Sequence, residues 1–153
     1  MDKYDVQGAN KKLKSLAFQL ADLYDVIAGI LARLPIPMLM PPLAEDRTLA
    51  VYSLSRAWEL TDWEPLAAVT AVRIRDMITA WHTARELCGI AFTYGAAPWR
   101  LRAIEDALDR IWEAVIEVNR HLDGKFGSAE LTEREKRWVA AHAPKRRRRR
   151  RRR

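Results

Sequence analysis

Nine consecutive cationic side chains close the sequence: Lys145, Arg146, Arg147, Arg148, Arg149, Arg150, Arg151, Arg152 and Arg153. An arginine stays protonated at any physiological pH, and its planar fork of donors matches two phosphate oxygens at once. The chemistry this run offers is therefore the gripping of polyanions. Neutralising about nine phosphates of a single strand predicts a log–log salt slope of roughly −6, without base preference, because phosphate contacts position a protein and do not read sequence. The run carries +9 of a whole-chain net charge of +7, which leaves residues 1–144 at −2. A faintly acidic body thus bears a concentrated basic tail. Like charges packed this densely repel, and they offer no apolar surface to bury, so the tail is expected to be disordered by itself. Nucleic acid is the favoured partner. The same run also fits an engineered tag, a nuclear-import signal or an anchor on anionic membrane. It holds no Ser or Thr, so phosphorylation within it is no means of release.

The other reactive residue types are sparse. His82 and Glu86 lie one helical turn apart, as do Glu117 and His121. Either pair supplies two metal ligands, and nothing adds a third or fourth at diagnostic spacing. Cys88 stands six residues from His82, on a different face of a helix, so the two do not form a nucleophile pair. A buried, hydrophobe-like thiol is the expected role of Cys88, although a bridge between two copies remains open. No Gly-rich phosphate loop, Gly-x-Ser-x-Gly elbow or His-Glu-x-x-His run occurs. The chain reads as non-enzymatic, with no catalytic residue, metal or cofactor. Of six tryptophans, Trp58, Trp81 and Trp112 fall on apolar stripes and are expected in the core or an interface. Trp63 and Trp99 fall at helix joints. Trp138, beside the tail, is the candidate for stacking on bases.

These residues need a scaffold, and apolar spacing indicates an all-α one. The length of 153 residues suits one domain, and 49% hydrophobic content is ample for a core. No sustained alternation of period two occurs. Residues 1–9 read as a loose arm. Asn10 is a plausible N-cap for a helix over 10–34, with Leu13, Leu16, Leu20, Leu23, Tyr24, Ile27, Ile30 and Leu31 on one face. Pro35 stops it. An apolar connector follows, in which Met38, Leu39 and Met40 are expected to pack on the body or a neighbouring subunit. A second helix is expected from Pro41 and Pro42 to about Trp63, and a third from about Pro65 to Tyr94, close to 45 Å long. The short joint between them predicts an antiparallel hairpin.

Gly95 is the natural C-cap of the third helix. That helix has two apolar stripes, one of Val69, Met77, Ala84, Leu87 and Ala91, the other of Ile74, Ile78, Trp81, Cys88 and Phe92. Two stripes predict two partners, the second being either the same hairpin of another copy or a further element of one compact bundle. A fourth helix begins near Pro98 and carries Leu101, Ile104, Leu108, Ile111, Trp112, Val115, Val118 and Leu122. A loop is expected over 123–128, then a short helix opened by the capping box Thr132-Glu133-Arg134-Glu135. No apolar h-region follows the N-terminal lysines, and the proline-broken stretch 34–44 cannot span a bilayer, so neither signal peptide nor transmembrane segment is expected.

From Trp81 onward the order of features is familiar. Trp81-His82, Cys88, Phe92-Thr93-Tyr94-Gly95 and a further helix resemble the series in hepadnavirus core (capsid) proteins and their non-enveloped fish relatives, the nackednaviruses. Trp58-Glu59-Leu60 is similar to the Trp-Gly-Glu-Leu run of that family's first hairpin helix, and an arginine-rich tail is the family's way of holding nucleic acid. The resemblance covers roughly residues 43–112 and the tail. It implies a dimer held by a four-helix bundle of hairpins, closing into a shell with the tails inside. Trp58, Met77, Trp81, Leu87 and Cys88 would then lie at the dimer interface. The family's proline-rich, tyrosine-bearing arm has no counterpart here; Phe126 and Trp138 stand nearest to its place and are the candidates for contact between dimers. The combined expectation is a helical assembly domain over 1–144, of about five helices, with a tail over 145–153 that binds RNA or DNA. The partners are further copies of the chain and nucleic acid, in a virion and, before assembly, in host cytoplasm or nucleus. A small helical nucleic-acid-condensing protein, or a helical scaffold with an appended polyarginine run, is the alternative.

Overall fold

The computed structural model describes residues 5–126, with side chains described through Asp123. Over this span the chain forms four α-helices and, among the described residues, no strand. They are α1 (Val6–Ala32), α2 (Arg47–Leu60), α3 (Ala68–Tyr94) and α4 (Pro98–Phe126), with a 3₁₀ turn, Thr61–Trp63, closing α2. The expected fifth helix over 132–142, Trp138 and the tail lie outside the described residues.

Helix α1 starts earlier than expected because Asp5, not Asn10, caps it. The Asp5 Oδ1 accepts the Gly8 N–H at 2.9 Å, satisfying one of the donors that a helix start leaves open. A Cβ at residue 8 would crowd the Asp5 carboxylate, which would have to turn aside from its present capping position. The arm expected over 1–9 is thus helical from Val6 onward. Ten α1 residues are buried, following the stripe read from the sequence. By length and composition α1 is also apolar enough to cross a membrane, the one such helix among the described residues. It precedes the proline-broken 34–44 stretch.

After Arg33 the chain folds back over the end of α1, where Met38 N–H donates to Leu31 O at 3.0 Å. Leu34 and Met38 are buried and Met40 packs at the core's edge, whereas Leu39 is 82% exposed. Residues 42–45 then make a turn, Glu45 N–H to Pro42 O, and Asp46 in extended geometry caps α2 through Leu49 N–H at 3.0 Å. Helix α2 therefore begins at Arg47 and not at the Pro41-Pro42 pair. Past the 3₁₀ turn, Glu64 to Ala67 remain non-helical, which delays α3 to Ala68. Helix α3 ends as expected, on Gly95 with φ 109° and its N–H on Ala91 O at 2.9 Å; positive φ suits glycine here. Helix α4 begins at Pro98, which lacks the N–H a helix start would leave unpaired. It runs through residues 123–126, where a loop was expected.

The packing corrects the expected hairpin. Helices α3 and α4, joined by residues 95–97, make the most extensive contact, and α1 lies against both. Helix α2 touches α3 more lightly, because its buried stripe holds only Ala50, Leu54 and Ala57. The two stripes assigned to α3 merge into one. Thr70, Ile74, Met77, Trp81, Ala84, Cys88 and Ala91 recur at alternating steps of four and three and are all buried. Val69 and Phe92, at its margins, face solvent. At the centre, Trp81 Nε1–H donates to Leu20 O of α1 at 2.9 Å, and the Tyr24 ring sits 5.5 Å from it. The Tyr24 hydroxyl donates to Pro41 O at 2.6 Å, tying the connector to the core. On the far side, Lys12 of α1 pairs with Glu105 of α4 at 2.6 Å.

Candidate nucleic-acid and self-association surfaces

The residues assigned to a dimer interface divide sharply. Met77, Trp81 and Cys88 are buried inside the protomer, and Leu87 packs at the core's edge. The apolar stripe they form is covered by α1 and α4 of the same chain, so these side chains offer little surface to a second copy in this fold. Trp58 is the converse: expected in a core or interface, it is 41% exposed. The Arg75 guanidinium lies 4.7 Å from its ring centroid, while Arg75 Nε–H donates to Trp58 O at 3.2 Å and the same guanidinium pairs with Asp62. Trp58 thus braces the joint between α2 and α3. The Phe126 side chain, Trp138 and residues 145–153 lie outside the described residues.

The titratable groups are structural in character. The first cause at Cys88 is burial, which pushes its thiol up to about 11; an inert side chain is the result. His82 Nε2 lies 3.2 Å from Ser55 Oγ, linking α3 to α2. Burial lowers the His82 pKa, Arg85 adds to the effect, and Glu86 opposes it. Burial, reinforced by Asp25, raises Tyr24 to about 12. Of the two His/Glu pairs, Glu117 is engaged by Arg120 at 3.2 Å. Among the described residues no group of three or more His, Cys, Asp or Glu side chains comes together.

Two exposed surfaces of the described residues stand out. The first is a groove of about 310 Å³ between the connector and α2, lined by Ile36, Leu39, Met40, Tyr52, Leu60 and Trp63. Glu64 closes one end. It is only 8% exposed, its Oε2 accepts Ile36 N–H at 2.9 Å, and burial raises its pKa against the lowering effect of that bond. The second surface is the α3–α4 turn. Tyr94 and Trp99 are 71% and 70% exposed. The Arg100 guanidinium carbon lies 6.0 Å and 5.6 Å from their ring centroids, within cation–π range. Arg100 Nη1–H donates to Tyr94 O at 3.1 Å and Gly95 O at 3.0 Å, which holds the head group in place.

Known proteins offer no match. No protein family, characterised protein or solved structure matches this chain. Sequence reasoning passed over the α3–α4 turn because Trp99 lies at a helix joint, far in sequence from the tail. The available signal was a Tyr and a Trp-Arg pair flanking the short Gly-Ala-Ala-Pro break. Only Ala96 of that break joins the core, and the rings on either side of it are left exposed.

Proposed function

We propose that this chain is a capsid or nucleocapsid protein, which associates with copies of itself through its helical body and packages RNA or DNA with residues 145–153. One observation carries the reading: nine contiguous cations follow a body of net −2 whose folded part leaves large apolar side chains exposed. Exposed apolar surface of this kind is typical of association sites. A body of small net negative charge has little overall attraction for a polyanion, which leaves that binding chiefly to the tail. The feature order from Trp81 to Gly95 supports a hepadnavirus-like capsid. The pairing surface, however, has to differ from the one that family implies. Ile36, Leu39, Tyr52 and Trp63, around the connector–α2 groove, are exposed side chains that could meet a second copy. Many weak tails on one shell would hold their cargo by avidity. The sites of action that follow are the virion and, before assembly, host cytoplasm or nucleus.

Sizing chromatography followed by electron microscopy tests this. Particles tens of nanometres across with strong absorbance at 260 nm are expected, and a monomer at all concentrations refutes the shell. A second reading, a helical nucleic-acid-condensing protein without a shell, is favoured by the burial of Met77, Trp81 and Cys88 within one protomer. Under it, nucleic acid co-purifies with small, irregular complexes.

A further inference from the structure

We propose that the α3–α4 turn is a second nucleic-acid contact, in which Trp99 and Tyr94 stack on bases of a single strand while Arg100 holds an adjacent phosphate. This deepens the nucleic-acid reading above and rests on it. Three observations converge. Both rings are about seven-tenths exposed, leaving them open to a stacking partner even with the guanidinium nearby. Arg100 spends Nη1 on the carbonyls of Tyr94 and Gly95 and, among the described residues, no protein acceptor takes its Nη2 or Nε hydrogens. An ordered cation with unused donors beside exposed rings has the chemistry of a nucleotide contact. The turn is also the N-terminus of the 29-residue α4, whose first turn carries no acidic side chain. Its dipole adds positive potential at the same spot. A second copy of the chain is the competing occupant of the exposed aromatics, and the test below distinguishes it. Nucleic acid satisfies all three features, and a tail with no base preference then gains a base-dependent term from the body.

The test uses full-length protein and two labelled probes of equal length and charge, oligo-dT and the corresponding abasic deoxyribose-phosphate chain, compared by fluorescence anisotropy. Aromatic stacking is worth about 1–3 kcal/mol per base, so the base-bearing strand is expected to bind about 5- to 150-fold tighter for each base stacked. The double substitution Tyr94→Ala/Trp99→Ala should erase that preference and leave the slope of log K against log salt unchanged, since the tail sets the slope. Trp99→Phe should retain most of the preference. Circular dichroism confirms that the variants, altered at exposed positions, keep their helices. Equal affinity of wild type for the two probes overturns the proposal, as does an undiminished preference in the double variant. A variant that changes the assembly state while keeping the preference assigns the patch to protein–protein contact and also overturns it. Failure of wild type to bind either probe refutes the underlying nucleic-acid reading instead.

Discussion

Replacing Trp81 with phenylalanine separates an internal role from an interface role. The indole N–H bonds Leu20 O at 2.9 Å, and the residue is 2% exposed against Tyr24. Losing one such hydrogen bond costs about 0.5–1.5 kcal/mol. Shrinking the ring leaves a void between α1 and α3 that adds about 1–2 kcal/mol, well below the full truncation of a core tryptophan. The sum, roughly 1.5–3.5 kcal/mol, corresponds to a fall in Tm of about 6–14 °C for a helical body of this size. Thermal melts followed by circular dichroism over a hundredfold range of protein concentration give the decisive reading. An internal Trp81 lowers Tm equally at every concentration and leaves the sizing profile of the folded protein unchanged. If the melting temperature holds at high concentration and the loss appears only on dilution, the residue stabilises an association between copies, and the internal assignment is refuted.

Four further outcomes are expected. Removing residues 145–153 should keep the helical signal and abolish co-purifying nucleic acid; the cleared 260 nm absorbance is the measurement, and loss of folding contradicts the partition of body and tail. Glu64→Gln should change the pH profile of stability. A carboxyl whose folded pKa is raised above its ordinary 4.5 keeps its proton while the unfolded form loses it, so wild-type stability declines as pH climbs from about 4.5, and the variant's should not over that window. His82 works in the opposite sense: its folded pKa lies below 6.5, so its contribution is intact above 6.5 and drains away as pH falls from there towards the folded value. Urea midpoints across pH 4–8 for wild type and Glu64→Gln resolve both. Cys88, buried and with its thiol pushed up to about 11, should react with a thiol reagent only in denaturant; rapid labelling of the native protein would contradict its burial.

Much of this fold was legible from spacing alone. The buried face of α4, from Leu101 through Ile104, Ile111 and Val118 to Leu122, matches the sequence expectation, because a long amphipathic helix writes its contact side in a 3.6-residue rhythm. The ends were less readable, since they turn on single caps. Asp5 and Asp46 each set a start that the more conspicuous Asn10 and Pro41-Pro42 suggested elsewhere. Helix α3 was harder for a different reason: it is apolar well beyond its buried stripe, with Val72 and Ile90 exposed. Periodicity then identifies the helix without saying which side meets its own chain. Trp58 shows the same limit in miniature, because a stripe position became a surface brace under Arg75.

The hydroxyl of Tyr24 reaches across to Pro41 O, and its ring touches that of Trp81. One residue therefore belongs at once to the heart of the bundle and to the strap forming one lip of the groove. Anything that levers residues 36–40 away from α2 must tug on that phenol, so prising open the rim and loosening the interior become a single event. Filling the groove without lifting its lip leaves that bond, and the bundle behind it, in place.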